Sequence, residues 1–386
     1  MPLPGICVNK VITPVPPLDL TRQYATIESD VSDAVLKVLA SGQYINGPVV
    51  ESFSKQFADY IGSQECVVCN SGTDALYLAL RALNIGPGDE VITSAFTFIA
   101  TAEAVSAVGA VPVFVDIELE TFNLNPALIE QAITPQTKAI LPVHIFGQPV
   151  DMDAVMAVAK AHGLPVIEDC AQATGAQWKD QKVGSIGRVG CFSFFPTKNL
   201  GGCGDGGAIA TNDPAIAAQA RLLSAHGSKV RYEHEAVGIN SRLDAVQAAI
   251  LQVKLQHLED WNAKRQAVAA RYEALLAGVA GVRSPKAITG GRSVWNQYTV
   301  LIEGSEGQKR DRLREKMQAQ GVSTMVYYPI PLHQQSVYAD LGYAAGSLPK
   351  TEKAAAQVLA LPMFPELTAE QQAQVVQTLA AVLPEL

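Results

Sequence analysis

The segment GCFSFFPTKNLGGCGDGGAIAT, residues 190 to 211, ends a short apolar strand just before Lys198 and then spends five glycines, at 201, 202, 204, 206 and 207. A lysine amine attacks a carbonyl only when unprotonated, and in water its pKa lies near ~10.4. Apolar flanks or a nearby cation pull that value down. The glycines remove side chains beyond the lysine, so backbone and a bulky ligand can approach closely. A P-loop is excluded by order, since its lysine follows the glycines and Lys198 precedes them.

Upstream, LPVIEDCAQATGA places Asp169 at the end of another apolar strand. Ligands of open α/β sheets bind beyond the carboxyl ends of strands, where such a carboxylate sits. An aldehyde cofactor with a protonated ring nitrogen needs both groups: the amine for an imine, the carboxylate for the pyridinium. The run ECVVCNSGTDALYLALRAL reads strand, turn, helix, and the unpaired amides at that helix start form an anion site containing Gly72 and Thr73. Thr73 also reads as a helix cap. Phe96 follows strand EVIT, where a flat ring can stack on a pyridine face, a core aromatic being the plainer reading, and Phe98 is expected in the core.

Six motifs occur in order: SGTDALYLAL, GPGDEVITSAFTFIAT, VIEDCAQATGA, SFFPTKNLGGCGDGG, NSRLDAVQAAIL and YYPIPLH. On these the chain resembles the DegT/DnrJ/EryC1/StrS sugar-nucleotide aminotransferases, pyridoxal-phosphate enzymes of the aspartate aminotransferase fold, from PLDLTRQY to LPMFPELT. The resemblance implies catalytic roles for Lys198 and Asp169. It puts Gly72, Thr73 and Ser193 on the cofactor phosphate and Gln172 near its phenolate oxygen. Asn240 would reach the partner subunit's cofactor and Arg242 the substrate, which implies a homodimer with shared active sites; ordinary capping and a surface arginine are the plainer reading of the two residues. Pro329 and Pro331 stiffen the loop carrying Tyr327, Tyr328 and His333, so these are expected against substrate. Many relatives carry histidine where Tyr327 stands.

The implied reaction moves an amino group from L-glutamate to a nucleotide-linked keto sugar, with carbon 3 favoured over carbon 4. The amino sugar would serve a cell-surface polysaccharide or a natural product. Relatives with histidine at the position of Lys198 dehydrate instead. Elimination, desulfuration or decarboxylation of an amino acid is an alternative, with Cys203 the candidate thiol for desulfuration. A pyridoxal-phosphate-binding regulator without turnover is another.

The elements that must position these residues follow from periodicity. Short apolar strands alternate with helical patterns from residue 66 onward, which predicts an α/β fold: a mostly parallel central sheet with helices on both faces, plus a smaller C-terminal α/β domain. With 386 residues, two domains are expected, a large cofactor-binding one over 1–255 and a small one over 256–386. The small domain is read as strand VWNQYTVLI, a helix to about Gln320, strand STMVYYP, and helices around 349–359 and 368–382. The proline-rich opening to about Asp19 is expected to lie along a surface. His144, in the strand before that of Asp169, is read as a buried structural imidazole.

A net charge of −8 without long like-charge runs argues against nucleic acid. No apolar run suits a membrane helix and no signal peptide is evident, so a cytoplasmic chain without membrane contact is expected. Its six cysteines, scattered in apolar runs, read as reduced thiols. Cys66 and Cys69 have CxxC spacing, but a strand turns residues i and i+3 to opposite faces, against zinc.

Overall fold

The computed structural model describes residues 14–230 and 232–386. Seven strands build the central sheet: β1 (Glu65–Cys69), β2 (Glu90–Ser94), β3 (Val111–Val115), β4 (Thr137–Leu141), β5 (Ile167–Asp169), β6 (Val189–Ser193) and β7 (Gly207–Thr211). Their spatial order is β1-β7-β6-β5-β4-β2-β3. β5 joins β4 through parallel bridges Val143 to Asp169 and Ile140 to Val166. Every neighbouring pair is parallel except those of β7, which runs against both β1 and β6. The cause is local. No helix separates β6 from β7, so the chain folds straight back beside itself, and Lys198 rides on that return.

Helices cover both faces, as the apolar patterns predict. On one side α1 (Glu28–Ser41) packs on the first half of α7 (Ala245–Leu276), which with α2 (Pro48–Ile61) lies against the sheet; α3 (Gly72–Ala82), α4 (Ile99–Ala107) and α6 (Pro214–Ser224) pack on the other, while α5 (Met152–His162) covers the α2 face over β4 and β2. Phe53 and Phe57 of α2 meet Phe194 and Phe192 edge to face, with centroids 5.4 and 5.0 Å apart. Cys66 and Cys69 join different core clusters, on opposite faces of β1.

The smaller unit pairs β8 (Tyr298–Ile302) antiparallel with β9 (Val358–Leu361) beneath α8 (Gln308–Ala319) and α10 (Ala369–Val382), with α9 (Pro349–Gln357) leading into β9. Helix α7 runs straight through residues 255–256. Its Ala248, Leu251 and Leu258 pack with the central sheet, while Val268, Tyr272 and Leu276 pack with β8 and β9.

Several elements differ from expectation. Between β3 and β4 the chain forms two short 3-10 turns, Pro126–Leu128 and Glu130–Ala132, where the alternation of strands and helices predicts a helix. STMVYYP makes one bridge, Met325 to Ala360, because β9 takes the edge position beside β8 and the helix expected to 359 stops at Gln357. Of the opening segment only residues from Pro14 are described; Val15 is fully buried and bridges Val322, so the chain there enters the small-domain core instead of lying on a surface. No described helix is long and apolar enough to cross a membrane.

Close packing at the start of β7 sets up the site. A Cβ at Gly207 would lie 2.2 Å from the Ser71 carbonyl oxygen, which is backbone and cannot swing aside. Gly207→Ala is therefore expected to cost roughly 1–3 kcal/mol, measured as a lower urea midpoint with an unchanged slope.

Candidate active site

A cleft of 460 Å³ opens at the carboxyl ends of the central strands and brings together Gly72, Thr73, Asp169, Gln172, Ser193, Lys198, Tyr327 and Tyr328. Lys198 occupies the turn after β6, its N–H donating to the Phe195 carbonyl at 2.9 Å. Burial lowers its amine pKa to about 8 against the opposing pull of Asp169. A solvated lysine would be almost wholly protonated at neutral pH; this one holds a useful fraction of free base.

Asp169 ends β5 and is 4% exposed. Burial raises its pKa, while the Ala171 amide (3.1 Å), the Thr101 hydroxyl (2.8 Å) and the charge of Lys198 favour the anion. Behind it His144 is fully buried, as expected: its Nδ1 accepts from the Val150 amide at 3.0 Å, so Nε2 carries the proton toward Glu168, also at 3.0 Å. The Gly184, Ile186 and Gly187 amides also donate to Glu168.

Gln172 is held at both ends. Its Oε1 accepts from the Phe146 amide at 2.7 Å and its Nε2 donates to the Tyr328 hydroxyl at 3.0 Å. Burial pushes the Tyr328 phenol well up, which keeps its proton in place. Ser193 touches the start of α3: a Cβ at Gly72 would sit 2.7 Å from the Ser193 Cβ. That contact leaves the amides opening α3, which have no acceptor within the helix, facing the same space as the serine hydroxyl. The helix cap is Ser71, whose hydroxyl accepts from the Asp74 amide at 3.1 Å, and not Thr73, which is the second residue of the helix and lines the cleft.

Two expectations are corrected. Phe96 is 1% exposed, packed against Phe122 and Phe146 at 5.9 and 6.1 Å, and does not line the cleft. Phe98 does; it is 55% exposed and 6.1 Å from the Tyr328 ring. The Ser94 hydroxyl accepts the Phe96 amide at 3.0 Å and turns the chain at the strand end, so the roles of the two rings are exchanged. His333 is also buried away from the cleft, its Nε2 3.2 Å from Glu352, whose carboxylate ties down the Gly346 amide too. The turn Leu332–Gln334 after Pro331 aims it at α9.

Asn240 and Arg242 stand outside this chain's cleft. Asn240 is exposed, and Arg242 lines a separate cleft with Glu65, Cys66 and Arg221. Cys203 is exposed and does not line the Lys198 cleft either. Sequence reasoning missed Thr97, Thr101, Phe195, Asp205 and Gln297, which do. Position just after a strand end pointed to Thr97; nothing in the sequence marked Gln297.

An amine with depressed pKa, a buried carboxylate, and a helix start sealed by serine and glycine suit a pyridine aldehyde bearing a phosphate. Fold and cleft together define an α/β transferase that exchanges amine and carbonyl groups. The chain belongs to the DegT/DnrJ/EryC1/StrS aminotransferase family, whose pattern matches residues 25–380. It is 49% identical to the "pleiotropic regulatory protein" of Geobacillus stearothermophilus over 95% of this chain and 98% of that one. It is 47% identical to the UDP-2-acetamido-2-deoxy-3-oxo-D-glucuronate aminotransferase of Pseudomonas aeruginosa, over 91% and 95%. The crystal structure of S. venezuelae DesV with a ketimine intermediate superposes with a TM-score of 0.92 at 45% identity, over 96% of this chain and 99% of that one.

The exchange of phenylalanine roles is open to test by stability. Phe96→Ala is expected to cost about 3–5 kcal/mol by emptying a core site, whereas Phe98→Ala should stay within about 0.5 kcal/mol of wild type. Urea unfolding of the two variants measures both.

Proposed function

We propose that the chain is a pyridoxal-phosphate-dependent aminotransferase that carries the amino group of L-glutamate to a nucleotide-linked keto sugar, at carbon 3 in preference to carbon 4. The observation that carries this reading is Lys198, its amine lowered to about 8 by burial and sharing one cleft with the buried Asp169. The name of the P. aeruginosa relative, a 3-oxo sugar acid on UDP, supports the choice of carbon.

Pyridoxal phosphate supplies an electron-accepting ring when bound. Lys198 would anchor it covalently and, once displaced by the donor amine, carry the proton between the donor's α-carbon and the cofactor's exocyclic carbon. Asp169, held by Thr101 and the Ala171 amide, would keep the ring nitrogen protonated. The amides of Gly72 and Thr73 with the Ser193 hydroxyl would take the phosphate. Gln172, fixed by Phe146 and Tyr328, would meet the ring oxygen, and Phe98 would cover the ring. Tyr327 and Tyr328 form the substrate wall of the cleft. Asn240 and Arg242, remote from it here, would complete the site of a second copy in a homodimer.

The name of the Geobacillus relative favours a second reading, a cofactor-binding regulator without turnover. Glutamate separates the two. The yellow protein is expected to lose colour with L-glutamate and regain it with a UDP-linked 3-keto sugar; colour indifferent to glutamate supports the regulator. Borohydride reduction and peptide mapping should place the cofactor on Lys198, and Lys198→Ala should abolish the adduct. Because only the free amine reacts, capture of cofactor by the apoprotein should accelerate as pH rises through about 8 and then level off. A midpoint near that of solvated lysine, ~10.4, would contradict the buried amine.

A further inference from the structure

Three buried asparagines from three separate elements meet behind the Lys198 turn. Asn199 follows the lysine, Asn262 lies midway along α7, and Asn296 precedes β8; they are 4%, 1% and 6% exposed. Asn199 Nδ2 donates to Asn262 Oδ1 at 2.7 Å and to the Val294 carbonyl at 2.9 Å. Asn296 Nδ2 donates to Asn199 Oδ1 at 3.0 Å and to the Thr197 carbonyl at 3.2 Å. Asn262 Nδ2 donates to the Thr174 carbonyl at 3.1 Å, in the loop that leaves Asp169. Every amide nitrogen meets an oxygen, which settles the orientation of all three side chains.

We propose that the Asn199–Asn262–Asn296 triad is a positioning device for the Lys198 amine, bracketing the lysine on both sides and tying it to the loop behind Asp169. The proposal rests on the reading of Lys198 as the reacting amine. The residue before the lysine is held through its carbonyl and the residue after it through its side chain, while the lysine's own N–H is taken by Phe195. Only the lysine side chain is left to move. The bracket is itself clamped: Arg265, one turn beyond Asn262, donates to the carbonyls of Trp295, Asn296 and Met363 at 3.1, 3.3 and 3.2 Å.

Apolar side chains would fill this space without directing anything. Buried amides gain little net stability once their desolvation is counted, and what they add is direction. Here that direction spans the junction of the two units, because α7 continues to Leu276 and Asn296 leads into β8. Geometry of this kind matters to an amine that must leave one carbon and reach another, where a misplacement of about 1 Å can cost on the order of 100-fold in rate.

The test compares Asn262→Leu and Asn296→Leu with Gln372→Leu, which removes a buried amide bonded to the Val268 carbonyl in the small unit, outside the asparagine network and nearly two turns beyond Asn262 on α7. Each is prepared with pyridoxal phosphate bound. The asparagine variants are expected to lose roughly 10- to 100-fold in kcat of the glutamate half-reaction, with KM within about threefold of wild type. In their apoproteins the pH midpoint for cofactor capture should rise from about 8 toward the solvated value. Gln372→Leu should show a comparable fall in Tm with kcat and midpoint unchanged. Asparagine variants that keep wild-type kcat and midpoint, or a Gln372 variant that loses both equally, would overturn the proposal.

Should a leucine variant fail to fold, hydrogen exchange of the wild type decides. The Lys198 amide, bonded to the Phe195 carbonyl, should exchange as slowly as those of β6, and exchange at exposed-loop rates overturns the bracket. A wild type inert to glutamate, or with its adduct on another residue, instead removes the aminotransferase reading beneath it.

Discussion

Burial of an amine and a carboxylate in one cleft is the constraint on which this structure turns. Desolvation alone drives each group toward its neutral form, while the attraction between them favours both charges. In Lys198 desolvation prevails far enough to bring the amine to about 8 without abolishing its basicity. In Asp169 the Thr101 hydroxyl and the Ala171 amide join Lys198 in resisting the upward shift. A surface lysine would be a poor nucleophile, and a lysine buried without its carboxylate would be a poor proton carrier.

The fold delivers these two groups from neighbouring strands. Asp169 ends β5, and the turn bearing Lys198 leaves the carboxyl end of β6, its parallel partner. Because β7 returns antiparallel without an intervening helix, the lysine lies on the loop that joins two paired strands, five residues beyond the end of β6. Glycine serves this return at Gly207, where the β7 backbone lies against the Ser71 carbonyl too closely for any side chain. Gly72 does the same against Ser193. The start of α3, the end of β6 and the start of β7 therefore form one packed corner, and the proposed phosphate site is a consequence of that packing.

Hydrogen bonds then decide which side chains enter the cleft. The Ser94 hydroxyl turns the chain so that Phe96 packs among phenylalanines and Phe98 faces outward beside Tyr328. Glu352 draws His333 away although it follows the tyrosine pair in sequence. Gln172 is fixed by a backbone amide on one side and a phenol on the other, so its amide has a single orientation available.

Local order along the chain was enough to determine the alternation of strands and helices, the strand-end position of Asp169, the glycine-flanked Lys198, the strand-turn-helix that opens α3 and the family itself. These depend on short-range pattern, on a period of two or nearly four residues and on which residue types tolerate a turn. Contacts between distant segments decided the rest. Whether Phe96 or Phe98 faces the cleft, where His333 points, which segment pairs with β8, and that Gln297 and three asparagines gather around Lys198 all depend on partners far away in sequence. No local pattern carries that information, because each side chain's direction is set by the hydrogen bond or packed ring that claims it once the chain has folded.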